Sequence, residues 1–352
     1  MAGTVRNTAT DRPAGPVAFI TKGGNIMMNL FKTACAATAL LAAAPAVAET
    51  LSIAHFVPPQ HTLTSAVIDP FIAAAASGGS GLEVNVYPGG ELGAGPLEQY
   101  VRAVQGVADI VWGLQGYTSS QFTMTMLSEL PGVKAADRNG YDILWDAYDA
   151  GLLEQEFPAT VPLALWLSEP NIFIMKDHDV RTPDDIAGLK IRVSGSAAAR
   201  VIEALGATPV QMPANEMYNA LQTGLIDGIV TGASAVGDFK LDEVANSYTT
   251  GPALGQISFY FVMNAARYEG LSDVERAAID TIKGRPLSKS AEDGWNAAAA
   301  SVLESVKATG DNTVIELTTD EAAPFDAITA PLGEAIAAEV GGEEVLATMR
   351  GQ

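Results

Sequence analysis

The sequence predicts an α/β fold built as two lobes, on three observations. Short apolar strands alternate with helix-forming runs from Leu51 to Trp112, which implies a mostly parallel sheet. The block 171–250 repeats the alternation, which implies a second α/β lobe. No Pro/Ser-rich linker, coiled-coil heptad or internal repeat separates the two, so ordered crossings rather than a flexible tether should join them.

In chain order, 51–56 reads as the first strand, closed by Pro58-Pro59. Thr62 is placed to cap a helix running to Ala76, which Gly78-Gly79 ends. A second strand, 82–87, precedes the Pro88-Gly89-Gly90 turn. Pro96 suits the first turn of a helix reaching Gln105, and 108–112 is a third strand. Residues 124–156 read as mainly helical and 161–166 as a strand. In the second lobe, 189–193 is a short strand, 197–205 a helix stopped by Gly206, and Asn215 the N-cap of a helix ending at Gly224. The late strand 259–263 leads to a capping box, Ser272-Asp273-Val274-Glu275. An Ala-rich helix over 288–309, a strand at 314–317 and a helical tail after Pro324 complete the chain.

At 352 residues the chain can bury two cores. Residues 1–48 are set aside: 29–32 is a basic start, 33–44 an apolar run, and Ala46-Val47-Ala48 a small-x-small cleavage site. This reads as a secretory signal peptide, too short and Ala-rich to span a membrane stably. Residues 1–26 are polar, and translation reads as starting at Met27 or Met28. The one cysteine, Cys35, lies in the apolar run after Lys32-Thr33-Ala34, which is not a lipoprotein box; neither lipid anchor nor disulfide is expected. The whole chain carries 20 Lys and Arg against 41 Asp and Glu, a net charge of −21. Without the leader's four basic residues and one acidic residue this becomes −24. Such a balance excludes nucleic acid as a natural partner and disfavours an anionic membrane surface. An anion bound here needs a local positive site.

Arg192 is that site's best candidate. Along 189–193 the apolar Ile191 and Val193 fall on one face, and Lys190 and Arg192 on the other. Ser194, Gly195 and Ser196 then open a helix, so Arg192 sits at the carboxyl end of a strand beside unpaired helix N–H groups. In open α/β sheets ligands bind in that crevice, and a guanidinium fork suits a carboxylate. The competing reading is a surface salt bridge.

The succession GLKIRV, EALGATPVQMP and NEMYNALQTGLIDG resembles the solute receptors of tripartite ATP-independent periplasmic (TRAP) transporters. LSIAHFVPPQHTL, GLEVNVYPGGELG, GVADIVWG and FYFVMNAARYEGLSDVERAAI extend the resemblance over most of the chain. It implies a two-lobe periplasmic solute-binding protein fold with a ligand cleft between the lobes and long C-terminal helices. It implies lobes over 49–169 plus 256–296 and over 170–255 plus 297–352. It also implies that Arg192 pairs bidentately with the carboxylate of a small organic acid, passed on to TRAP membrane subunits. Two departures bear on the ligand. Where many members carry D-G-Q-E-N-P with a ligand-binding Asn, this chain has Asp227-Gly228-Ile229-Val230-Thr231-Gly232. A second arginine of sialic-acid binders is replaced by Glu169-Pro170-Asn171-Ile172, which points away from sialic acid.

Further candidate ligand contacts are His55 and Phe56 after the first strand, and Trp112, Gln115 and Tyr117 around the end of the third. From the second lobe come Asn171, Asn215, Met217 and Thr231, the last in the place of the family's Asn. Each has an ordinary packing or capping alternative. Trp166 and Glu169 fall at the crossing between lobes; Glu169 would balance Arg192, accept a hydrogen bond from the ligand, or serve as a cap or surface group. Phe259 and Tyr260 alternate faces, so only one can look into the cleft. His55, His61 and His178 lack metal-ligand spacing, and no metal or cofactor is expected. No G-x-S-x-G elbow, H-E-x-x-H, Walker A or strand-following G-x-G-x-x-G is present, so the sequence reads as a binding protein rather than an enzyme. A receptor presenting its ligand to a sensor would share the same features. Trp112, Trp166 and the Phe259-Tyr260 pair make an aromatic or apolar-tailed acid the expected ligand.

Overall fold

Two sheets organise the chain in a computed structural model that describes residues 49–93 and 95–352; the expected signal peptide and Cys35 lie outside the described residues. The first sheet contains β1 (Thr50–Ala54), β2 (Glu83–Tyr87), β3 (Ile110–Leu114), β4 (Thr160–Leu167) and β10 (Ser258–Asn264), in the order β2-β1-β3-β10-β4. The second contains β5 (Asn171–Met175), β6 (Lys190–Val193), β7 (Thr208–Gln211), β8 (Gly228–Gly232), β9 (Ser247–Thr250) and β11 (Thr313–Glu316), in the order β11-β9-β5-β8-β6-β7. Central strands such as β3, β5 and β8 are buried along their whole length, which is why they read as continuous apolar or small-residue runs rather than as alternating ones.

Both sheets are mostly parallel, and each holds one reversed strand. β10 runs antiparallel to β3 and β4, and β5 antiparallel to β8 and β9. These are the strands by which the chain first enters one sheet directly from the other, after β4 and after β9. The two crossing segments lie side by side: Ser168 N–H donates to Ile257 O at 2.7 Å, Asn171 N–H to Gly255 O at 2.9 Å, and Ile257 N–H to Ser168 Oγ at 2.9 Å. A third connection is the 25-residue helix Arg285–Thr309, which packs on β4 and on β11. Among the described residues no helix is long and apolar enough to cross a membrane.

Prolines mark the edges. Pro209 lies in β7 and Pro162 in β4, both edge strands, where a missing ladder N–H is tolerated. At Pro162 the pairing with β10 shifts register between Phe261 and Val262.

Three local expectations need correction. Residues 124–156 are not mainly helical: short 3₁₀ turns at Thr125–Glu129 and Glu154–Glu156 flank one helix, Gly140–Asp149. Pro131 and Gly132, the latter at φ 73°, break the run. Thr62 caps no helix; its N–H and hydroxyl both donate to Asp238 Oδ1, at 3.0 and 3.1 Å, and it already lies inside the helical run, which continues as a π-turn, Thr64–Ile68. Asn215 makes no capping bond, because a 3₁₀ turn, Ala214–Glu216, precedes the helix Met217–Thr223. The expected capping box at Ser272 and Glu275 is formed.

Glu129 supports the return crossing at an electrostatic cost. Its Oε1 accepts from Ser258 N–H at 2.9 Å and Ser258 Oγ–H at 2.6 Å, while buried Oε2 has no partner. Burial pushes its carboxyl from 4.5 up to about 7. The folded protein therefore keeps a proton that the unfolded chain releases, and stability falls as pH rises from about 4.5 to about 7. Glutamine can accept the same two bonds without a charge. Glu129→Gln should be more stable than the parent above pH 7, by about 1–3 kcal/mol, and no more stable at pH 4.5. Thermal melts at the two pH values check this; parallel melting of both proteins across the range contradicts it.

Candidate ligand-binding site

Strand β6 delivers Arg192 to the site. Its side chain is 1% exposed, and Nε donates to the Met212 carbonyl at 3.0 Å. Nη2 is buried with no partner, and among the described residues no carboxylate lies within ion-pair distance. The Tyr117 hydroxyl lies beside the guanidinium and accepts from Ala214 N–H at 2.8 Å. Burial pushes the Tyr117 hydroxyl pKa up, with Arg192 opposing. A buried cation with unmade hydrogen bonds carries a desolvation cost that an arriving anion offsets.

Arg192 borders a narrow, partly enclosed cavity. The first sheet and its loops supply Phe56, His61, Trp112, Leu114 and Phe259; the second supplies Thr231 and Gly232 of β8 and, from the following helix Ser234–Asp238, Ser234, Ala235 and Asp238. Trp295 enters from the long helix, and Met217 from the helix Met217–Thr223. Rings form the wall: Phe56 stacks on Trp112 at 5.0 Å between centroids, Trp112 on Phe259 at 5.6 Å. Behind them Trp166 stacks on Phe259 at 5.3 Å without reaching the cavity.

Of the residues singled out from sequence, Arg192, Phe56, Trp112, Met217, Thr231 and Phe259 line this cavity. Tyr117 reaches it through Arg192. Phe259 is the member of its pair that faces inward; Tyr260 turns to Tyr100 and Phe122. His55, Gln115, Glu169 and Asn171 are buried without lining the cavity, and Asn215 is exposed. Both ends of the Gln115 amide lack a protein partner. Burial holds His55 down to about 4. Glu169 does not pair with Arg192: its Oε1 accepts Ser234 N–H at 2.6 Å at the start of the short helix, and burial raises its carboxyl to about 7. His178 is exposed, and among the described residues no group of three metal-ligating side chains occurs.

Several lining residues carry no signal in the sequence. Trp295 sits in an Ala-rich helix with no local cue, and Ser234, Asp238 and Phe239 follow β8 in a helix too short to show periodicity. His61, which lacks metal-ligand spacing in the sequence, is buried between Trp112, Phe239 and Trp295, and burial holds it down to about 3.

The loops after β3 and β6 touch through glycine. A Cβ on Gly195 would fall 2.6 Å from Gly116 Cα and 2.7 Å from its carbonyl oxygen. Beside this contact Ser196 N–H donates to Ser119 Oγ at 3.2 Å.

A two-lobed α/β binding protein, with a buried cation at a ring-lined cavity, is the class these features define. The chain belongs to the bacterial extracellular solute-binding protein family 7 (DctP), whose model matches residues 53–339, and is thus a TRAP solute-binding protein, a receptor and not an enzyme. Among solved structures it is similar to a TRAP solute-binding protein from Rhodoferax ferrireducens T118 in complex with copurified benzoate. That match has 28% identity and a TM-score of 0.79, covering 86% of this chain and 96% of the other. It is also similar, at 26% identity and a TM-score of 0.77 over 86% and 97% of the two chains, to a marine metagenome TRAP protein specific for aromatic acid ligands. Among characterised relatives, the C4-dicarboxylate-binding periplasmic protein DctP of Rhodobacter capsulatus is 28% identical over 47% of this chain and 49% of its own length.

Proposed function

We propose that this chain captures a small, ring-bearing carboxylic acid in the periplasm and delivers it to the membrane subunits of a TRAP transporter. The observation that carries the reading is the Arg192 guanidinium: buried, unpaired by any carboxylate among the described residues, and bordering a ring-lined cavity. The ligand carboxylate pairs with Arg192 while its ring lies among Phe56, Trp112 and Phe259. With one arginine and a mostly aromatic wall, the cavity favours a monocarboxylate over a diacid. The benzoate and aromatic-acid complexes of the relatives at 28% and 26% identity support the same class. Residues 49–169 plus 256–296 act as one lobe and 170–255 plus 297–352 as the other, flexing at the paired crossings. Closure follows because the acid contacts both lobes and so favours the shut form. Residues 1–48 act as the export signal.

A thermal-shift screen of the purified protein against aromatic monocarboxylates, aliphatic monocarboxylates, dicarboxylates and uronates tests the assignment. Aromatic monocarboxylates should give the largest stabilisation. A response confined to dicarboxylates or uronates contradicts it.

A further inference from the structure

The cavity holds a second polar group, away from Arg192. Asp238 ends the helix after β8, and its Oδ1 is fully used by Thr62 N–H and Oγ1–H. Its Oδ2 faces His61 Nε2 at 3.4 Å. His61 Nδ1 accepts Leu63 N–H at 3.0 Å, so the neutral ring carries its proton on Nε2, the atom aimed at Asp238. Both side chains border the same cavity as Arg192, and no lysine or arginine pairs with Asp238 among the described residues. A row of rings links the two groups: Tyr117 beside Arg192, then Phe56 at 6.0 Å, Trp112 at 5.0 Å and His61 at 5.5 Å.

From this arrangement we infer that Asp238 and His61 read a hydroxyl on the ring of the bound acid. A hydroxyl both donates and accepts, so it can give its proton to Asp238 Oδ2 and take one from His61 Nε2. An aryl amine donates but, with its lone pair delocalised into the ring, accepts poorly from the imidazole N–H; an unsubstituted ring leaves Asp238 Oδ2 without a strong donor. Burial pushes the Asp238 carboxyl up to about 6, as expected of an acid in the cavity wall that lacks a cation. Because Thr62 and His61 come from the first sheet's side and Asp238 from the second's, a hydroxyl held between them also ties the two halves together. Specificity for the hydroxylated acid then comes from a buried acceptor that its plain analogue leaves unpaired, the asymmetry that gives hydrogen-bonding pockets their discrimination.

The inference rests on the aromatic-acid reading, and its test separates the two. Calorimetric titrations with benzoate, 3-hydroxybenzoate, 4-hydroxybenzoate and 4-aminobenzoate are run on the parent protein, Asp238→Asn, Thr62→Val and Arg192→Ala. Asparagine keeps an oxygen for Thr62 but turns an NH₂ toward His61. The parent should bind one hydroxybenzoate at least tenfold more tightly than benzoate or the amino acid analogue. Asp238→Asn should bring that ratio close to one. Thr62→Val, which weakens the tie without altering the cavity groups, should lower all affinities and keep the ratio. If benzoate and both hydroxybenzoates bind the parent equally and Arg192→Ala abolishes binding, the hydroxyl reader is wrong and the carboxylate site stands. If none of the acids binds the parent, both fall. A ratio that survives Asp238→Asn overturns the assignment of this residue.

Discussion

Arg192→Ala should weaken binding of the aromatic acid by two to three orders of magnitude and leave the fold intact. Truncating one partner of a buried, hydrogen-bonded charge pair costs about 2–5 kcal/mol. Arg192 is positioned for such a pair by the Met212 carbonyl at Nε and by Tyr117, leaving Nη2 unpartnered. Arg192→Lys tests geometry as distinct from charge. Lysine carries the charge as a single point with no planar fork, so affinity should still fall by more than tenfold. The unliganded protein should respond in the opposite sense. A buried guanidinium without a counter-ion is costly, so Arg192→Met should melt at or above the parent temperature when no acid is present. Calorimetry and melting curves on the three variants supply the readout; near-parent affinity in Arg192→Ala would falsify the carboxylate site.

Gly195→Ala should be nearly as damaging to binding, though the residue borders no ligand group. Its backbone is extended, with φ −164°, so alanine fits it without strain. The obstacle is space: the added methyl would meet Gly116 Cα, C and O, all within 2.9 Å and all backbone, which cannot swing aside. The loops after β3 and β6 would have to separate, drawing Tyr117 from Ala214 and Ser119 from Ser196. Affinity should drop by at least tenfold, with a larger radius of gyration in the presence of ligand by small-angle scattering. Unchanged affinity in Gly195→Ala would show that the glycine contact is incidental to closure.

Much of the fold was legible because local signals agreed with the tertiary outcome. The strands at 50–54, 83–87, 190–193 and 258–264 are short apolar or alternating runs bounded by turn residues, and the Ser272 box is a local hydrogen-bond pattern that needs no distant partner. Thr62 misled because a residue with cap chemistry spends its bonds on Asp238, 176 positions away. Residues 124–156 misled because helix-forming composition does not register one Pro-Gly turn.

The site was legible at Arg192 for the same reason: a charge placed among apolar strand residues, next to a helix start. Thr231 and Phe259 followed from strand ends. Asp238, Trp295 and His61 did not, since each reaches the cavity by long-range packing of helices whose own sequences look like ordinary surface or core. Glu169 illustrates the converse. It sits where a ligand contact was expected, yet the free N–H at the start of the Ser234–Asp238 helix takes its carboxylate instead.

The placement of β10 between β3 and β4 bears on how the molecule assembles as it is made. A nascent chain that has emerged only as far as β5 owns both neighbours of that strand but not the strand itself, so its sheet must wait, split down the middle. Pairing that depends on residues so far along the polypeptide is slow and all-or-none in character. The first sheet therefore cannot mature alone, and truncation at the first crossing should yield an aggregation-prone fragment with unpaired strand edges rather than a working lobe.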